Sequence, residues 1–171
     1  MNYAEIRRVD VANGPGVRVS LFVSGCPHHC AGCFNPETWD FTFGAEFESQ
    51  QEKEILQSLR PSHIQGLSLL GGEPFAPENQ QTVLNLVRAV RRELPEKDIW
   101  CYTGYLFENL QNGMVGDCSQ LLLKELDVLV DGPFVLDRKN LGLRFRGSDN
   151  QRIIRVKDSL AAGQICLWTE I

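Results

Sequence analysis

Val17-Arg18-Val19-Ser20-Leu21-Phe22-Val23-Ser24-Gly25-Cys26-Pro27-His28-His29-Cys30-Ala31-Gly32-Cys33 is the stretch on which the fold turns. Its first seven residues set Val17, Val19, Leu21 and Val23 on one face and Arg18, Ser20 and Phe22 on the other, the period of two that a β-strand requires. This is expected to be the first strand of the sheet. Asn13-Gly14-Pro15-Gly16 before it reads as a turn, since glycine tolerates positive φ and proline fixes its own. After it come three thiols, on the loop at the strand's carboxyl end, where α/β proteins bind ligands. Fully extended, the steps from Cys26 to Cys33 would span about 24 Å, whereas thiolates that share one metal centre lie within a few ångströms. The loop must therefore curl. Pro27 and Gly32 permit it, and amides turned inward can donate to sulfur.

Working outward, residues 46–59 place Phe47, Ile55, Leu56 and Leu59 on one helical stripe, which Pro61 ends. Residues 67–70 are a short buried strand running into Gly71-Gly72-Glu73-Pro74. Pro77 opens a helix whose buried face is Val83, Leu86, Val87, Val90 and Leu94, until Pro95 stops it. The pattern repeats with a strand at 99–102, a turn at Thr103-Gly104, helical segments within 105–125 and a strand at 128–130. Residues 152–156 and 165–168 are short strands whose pairing the sequence leaves open. Alternating strand and helix implies a parallel sheet with right-handed crossovers. Four βα strands are too few for a closed eight-stranded barrel, so the expected fold is α/β, an open partial (βα) barrel with a mainly parallel sheet, in one domain over residues 1–171.

The 171 residues are 43% hydrophobic, enough for a domain that buries roughly 70% of its unfolded surface. With 17 Lys+Arg against 22 Asp+Glu the net charge is -5, which argues against nucleic acid as the main partner. Charge is unevenly spread. Residues 137–157 carry seven basic and two acidic side chains, among them Arg144, Arg146, Arg152, Arg155 and Lys157, and read as a docking surface, as an approach to a ligand's carboxylate, or as a solvated turn and strand edge. Six cysteines, three of them crowded, indicate reduced thiols and a cytoplasmic protein. Residues 1–10 carry Glu5, Arg7, Arg8 and Asp10 with no apolar region behind them, and no run approaches 18 apolar residues, so neither export nor membrane insertion is expected.

Three thiolates are soft ligands that suit zinc or iron-sulfur. A structural zinc takes four ligands, and His28 or His29 would complete such a set. A four-iron cluster held by three cysteines instead keeps one iron open to an outside ligand. Merely buried thiols are the third reading, which a loop rich in Pro, His and Gly fits poorly. Gly71 and Gly72 let main chain approach a ligand, and Glu73 offers a carboxylate to an ammonium group; a tight strand-to-helix turn accounts for the same residues. Cys101, Cys118 and Cys166 read as small core residues, His63 as exposed, and Trp39, Trp100 and Trp168 as core or interface anchors. Asp131-Gly132-Pro133 fits a turn or a contact to cofactor or partner.

The spacing C-x3-C-x2-C after a strand, with Leu70-Gly71-Gly72-Glu73-Pro74 after the next, resembles the radical S-adenosylmethionine superfamily. Adjacent strands lie about 4.8 Å apart, so the two loops would face each other across one small ligand. Within that superfamily the chain resembles the activating proteins of anaerobic ribonucleoside-triphosphate reductases. The likeness runs through Asn13-Gly14-Pro15-Gly16, Leu21-Phe22-Val23-Ser24-Gly25-Cys26, Gly32-Cys33-Phe34-Asn35, Lys97-Asp98-Ile99-Trp100, Tyr102-Thr103-Gly104-Tyr105, Leu129-Val130-Asp131-Gly132-Pro133-Phe134 and Arg146-Gly147-Ser148 with Asn150-Gln151.

The resemblance implies that Cys26, Cys30 and Cys33 hold a [4Fe-4S] cluster and that S-adenosyl-L-methionine chelates the fourth iron. It places Gly71, Gly72 and Glu73 at the amino group, and Gly32, Cys33 and Phe34 on the adenine side. The superfamily's aromatic residue before the third cysteine is replaced here by Gly32, with Phe34 following instead. It further implies an oxidoreductase of the glycyl radical enzyme activase type. An electron from the reduced cluster splits the sulfonium, and the resulting 5′-deoxyadenosyl radical takes a hydrogen atom from a glycine of the reductase. No side chain is required as general acid or base. The electron donor would be of flavodoxin or ferredoxin type, and an open barrel would admit a protein loop from the side. Two other readings are a radical enzyme that activates a different glycyl radical protein or acts on a small molecule, and a non-catalytic zinc or cluster module.

Overall fold

The computed structural model describes residues 1–169. Strands β1 (Asn2–Asp10), β2 (Val17–Val23), β3 (Ala45–Glu46), β4 (Ile64–Gly71), β5 (Asp98–Tyr102), β6 (Val128–Asp131) and β7 (Arg152–Arg155) form one sheet in the order β3-β1-β2-β4-β5-β6-β7. The centre, β2-β4-β5-β6, is parallel, as the alternation of strand and helix requires. Both flanks are antiparallel: β1 on β2, β3 on β1, and β7 on β6. The sheet does not close, so the α/β class and the openness hold.

The segment 17–23 is a strand but not the first. β1 precedes it and pairs with its whole length. Glu5, Arg7 and Arg8 hid this strand, because an outer strand keeps charged side chains in water and shows little alternation. The helix expected at 46–59 begins later, as α1 (Ser49–Leu59), because Ala45 and Glu46 are drawn into β3 beside Asn2 and Tyr3. Glu48 and Gln51 close that helix's amino end with a reciprocal capping box. Helix α2 (Pro77–Glu93) runs as expected between its prolines. The segment 105–125 splits into α3 (Phe107–Gln111) and α4 (Ser119–Glu125) around Gly113 and Gly116, both at positive φ. Residues 152–156 divide into β7 and the start of a helix not foreseen, α5 (Val156–Ala162). The strand expected at 165–168 only bridges: Leu167 lies beside Ile154, and Arg155 N–H donates to Cys166 O at 2.9 Å.

The two faces of the sheet differ. Val19, Leu21, Val23, Leu67, Leu69, Ile99, Cys101 and Leu129 pack against α1, α2 and α4 in one core that includes Val83, Leu86, Val87 and Val90. Each such side chain buried contributes roughly 1.5–3 kcal/mol. On the other face, register sets Phe22 beside Leu70 and, through Leu69 beside Cys101, Leu70 beside Tyr102. Below that layer lie Ser20, Ser68 and Trp100, and below them Arg18. The Arg18 guanidinium is fully buried. It pairs with Asp98, donates to Ser68 Oγ at 2.7 Å and to Leu67 O at 3.0 Å, and lies 5.6 Å from the Trp100 ring. Gly66 makes room for this pair, since a Cβ there would stand 2.1 Å from Asp98 O. Over β5 to β7 this face is covered by a second cluster of Trp100, Val128, Val130 and Ile153, capped by Phe145 and Trp168. Between that cap and β1 the face stays open as a cleft.

Candidate functional site

Four loops at the carboxyl ends of the parallel strands meet at the mouth of the cleft. Glu73 N–H donates to Gly25 O at 2.8 Å, Gly72 N–H to Val23 O at 2.7 Å and Gly25 N–H to Thr38 O at 2.8 Å, so the cysteine loop and the Gly-Gly-Glu turn are joined main chain to main chain. Gly71 sits at φ 102°, where a Cβ would be 2.8 Å from Phe22 Cα, and a Cβ on Gly72 would be 2.6 Å from Gly25 O. Both glycines are therefore required by close approach. Asn79, buried in the first turn of α2, braces the junction by donating Nδ2 to Ser24 O and to Glu73 O, each at 3.0 Å.

Cys26, Cys30 and Cys33 are half-buried and line one cleft of about 620 Å³ with Gly71, Gly72 and Glu73, a volume in the range of small-molecule sites. Each sulfur receives main-chain amides. Those of His28 and His29 reach Cys26, that of Phe134 reaches Cys30, and Asn35 N–H points to Cys33 Sγ at 3.4 Å. Burial pushes the Cys26 thiol up to about 11 and raises Cys30 as well, while these amides pull both back by favouring thiolate. Nearby Glu73 adds to the upward push. Among the described residues no three His, Cys, Asp or Glu side chains gather as a single ion would need. Three soft thiolates with main-chain amides turned towards them form a donor set that suits an iron-sulfur cluster.

The residue before the third cysteine must be glycine for a local reason. Gly32 has φ 72°, and a Cβ on it would stand 2.7 Å from Leu136 Cδ1. The aromatic surface comes from the next position. Phe34, 57% exposed, meets Phe134 with ring centroids 5.2 Å apart, and Lys139 Nζ lies 5.1 Å from its ring. Phe34 and Phe134 both line the cleft, as do Gly132 and Arg146, which the sequence offered as possible contacts, and Leu141 and Leu143, which it did not mark as part of the site.

In the basic stretch Arg138, Lys139, Arg144, Arg155 and Lys157 are exposed, and several of its charges pair within the chain. Arg152 pairs with Asp131 and Glu108, bonds that hold its guanidinium charged; Arg155 pairs with Asp158 and Lys157 with Asp127. Arg146 donates to Gln151 O and lines the cleft. Asp131 also accepts Phe107 N–H at 2.8 Å, so it ties β6 to α3. Cys101 lies in the core and half-buried Cys118 packs against it, as expected; Cys166 is half-buried outside it, and none of the three lines the cleft. Trp100 anchors the second cluster, and Trp39 stacks on His29 at 4.7 Å. His63 is exposed. No helix among the described residues is long and apolar enough to cross a membrane.

Known proteins match this sequence closely. A family model described as a 4Fe-4S single cluster domain matches residues 12–154. The anaerobic ribonucleoside-triphosphate reductase-activating protein of Vibrio cholerae is 46% identical over 157 residues, 91% of this chain and 98% of that relative. The protein of the same name from Enterobacteria phage T4 is 47% identical over 156 residues, 90% of this chain and 93% of its own, and that of Escherichia coli K12 is 45% identical over 154 residues, 88% and 96%. Likeness at this level over nearly the whole of each chain, together with the cluster-domain match, is why this chain belongs to the anaerobic ribonucleoside-triphosphate reductase-activating protein family.

Proposed function

We propose that the protein is a radical S-adenosylmethionine oxidoreductase of partial-barrel type that activates anaerobic ribonucleoside-triphosphate reductase in the cytoplasm. The observation that carries this reading is the main-chain junction of the cysteine loop with the Gly71-Gly72-Glu73 turn across one cleft. When bound, a reduced [4Fe-4S] cluster supplies an electron that splits the sulfonium of S-adenosyl-L-methionine to methionine and a 5′-deoxyadenosyl radical, which takes a hydrogen atom from a glycine of the reductase.

The chain's own part is placement. Cys26, Cys30 and Cys33 would hold the cluster through three of its irons, leaving the fourth open to S-adenosylmethionine. The amides of His28, His29, Phe134 and Asn35 stabilise the thiolates. The turn of Gly71, Gly72 and Glu73 bounds the methionyl end, and Gly32, Cys33 and Phe34 the adenine side. The rings of Phe34 and Phe134 exclude water beside them. No side chain acts as general acid or base. The open edge of the sheet admits a protein loop, and a flavodoxin- or ferredoxin-type donor delivers the electron.

Anaerobic reconstitution followed by reduction in the presence of S-adenosylmethionine and the reductase tests this reading. Four irons per chain, release of methionine and 5′-deoxyadenosine, and a glycyl radical signal in electron paramagnetic resonance are expected. A colourless protein with one tightly held zinc contradicts it.

A further inference from the structure

The Glu73 carboxylate is 1% exposed and fully engaged. Its Oε1 accepts Phe75 N–H at 2.9 Å and the Thr103 hydroxyl at 2.8 Å; its Oε2 accepts Gly104 N–H and His28 Nε2–H, both at 2.8 Å. An ionised carboxylate has about four lone-pair directions, and all are taken. An ammonium group arriving from the cleft would have to displace one of these donors. Two are main-chain amides. The third, Thr103, is buried and also accepts Tyr105 N–H at 3.1 Å.

His28, on the cysteine loop, is the fourth, and the fold has a seat built for its ring. Tyr105 meets the ring edge-on at 4.4 Å. Gly104 leaves space beside it where a Cβ would stand 2.5 Å from the ring's Cδ2. A seat shaped by a glycine and an aromatic edge is a place the ring keeps. With Nε2 carrying the hydrogen, the bond to an ionised carboxylate is of the stronger, charge-assisted kind.

We infer that His28 is a positioning residue that fastens the cysteine loop to the cofactor seat through Glu73, whose carboxylate is the hub of that fastening. The ligand's ammonium is thereby left to the main chain of the Gly71-Gly72 turn. The hub ties together the loops after β2, β4 and β5, so the three thiols and the seat keep one relative placement. This inference rests on the proposed function and refines one residue's part in it.

The test compares His28→Ala, His28→Gln and Gly104→Ala with the wild type by two readouts. The first is the dissociation constant for S-adenosylmethionine, read from the electron paramagnetic resonance of the reduced cluster and normalised to iron content. The second is hydrogen exchange of the metal-free chain over residues 26–33 and 103–105. His28→Ala is expected to weaken cofactor binding about ten- to hundredfold, the usual cost of losing an outer-shell partner, and to speed exchange in both loops. His28→Gln, which keeps an N–H donor, recovers most of both. Gly104→Ala reproduces His28→Ala because its methyl group evicts the ring, and the double variant is no worse than either single one. Cofactor binding by His28→Ala as tight as wild type or tighter overturns the inference, since the ring would then be a group the ligand displaces. Unchanged exchange in both alanine variants overturns it too. A wild type that neither builds a cluster nor binds S-adenosylmethionine defeats the proposed function instead, and the exchange readout still judges the fastening.

Discussion

The helix-facing and cleft-facing sides of this sheet come from the same strands and are built on opposite principles. Behind β2, β4 and β5 every inward side chain is apolar and packs on α1, α2 or α4. In front, the same strands present Arg18, Ser20, Ser68 and Tyr102, with the mouth above them assembled almost wholly from main chain and glycine. One side supplies stability through volume and apolar area. The other accepts a fully buried guanidinium and close-packed loops to keep a shaped, partly polar space. Stability and chemistry should therefore respond to different substitutions.

The largest expected effect is at the mouth. Cys30→Ala, like Cys26→Ala or Cys33→Ala, is expected to lower S-adenosylmethionine cleavage at least a hundredfold in a reductive cleavage assay, because two anchors no longer hold the cluster. The melting temperature of the metal-free chain should barely move, since each of these cysteines is only half-buried. Behind the sheet the pattern reverses. Leu69→Ala, at a site with no exposure, is expected to cost about 2–5 kcal/mol in urea unfolding while the folded fraction still cleaves the cofactor. Equal losses of turnover per folded molecule in both variants would erase the distinction between the faces.

Arg18→Met is expected to cost about 2 kcal/mol, because Ser68 Oγ and Leu67 O lose a buried donor while Asp98, a quarter exposed, keeps only Gln65 Nε2 at 3.1 Å. A stability unchanged in urea would show that the polar floor carries no structural load. The smallest effect is alkaline. Burial pushes the Cys101 thiol well above its ordinary 9.0 and also raises the Tyr102 hydroxyl. The fold thus favours the neutral forms, a contribution present in full below the unfolded values and lost as pH rises past them. Melting of the metal-free chain should drop above about pH 9, and Cys101→Ala should flatten part of that drop; a melting temperature independent of pH there would contradict it.

Much of the architecture was readable because β2 alternates Val17, Val19, Leu21 and Val23 with Arg18, Ser20 and Phe22, and α2 is bracketed by Pro77 and Pro95. β1 escaped because, beyond Asn2 and Tyr3 where β3 pairs with it, its Glu5, Arg7 and Arg8 stay in water and carry no such signal. The break between α3 and α4 was written in Gly113 and Gly116, whose positive φ a helical period does not register. At the site, the three cysteines and two glycines stand out by type and spacing. The His28 and Thr103 contacts to Glu73 did not, because they join residues 45 and 30 positions apart through a topology that only the folded sheet supplies. The ion pairs that Arg152, Arg155 and Lys157 of the 137–157 stretch make were not legible for the same reason: their acidic partners, Asp131, Asp158 and Asp127, appear only in three dimensions or one helical turn away.

On the proposed function, one iron of a three-cysteine cluster would take its remaining ligands from S-adenosylmethionine beside the Gly71-Gly72 turn. Electron-nuclear double resonance of the reduced protein, mixed with S-adenosylmethionine carrying ¹⁵N in its amino group, reads this contact directly. A resolved coupling between cluster and nitrogen is the expected result. A signal identical with labelled and unlabelled cofactor, in a sample shown to bind it, would contradict the account.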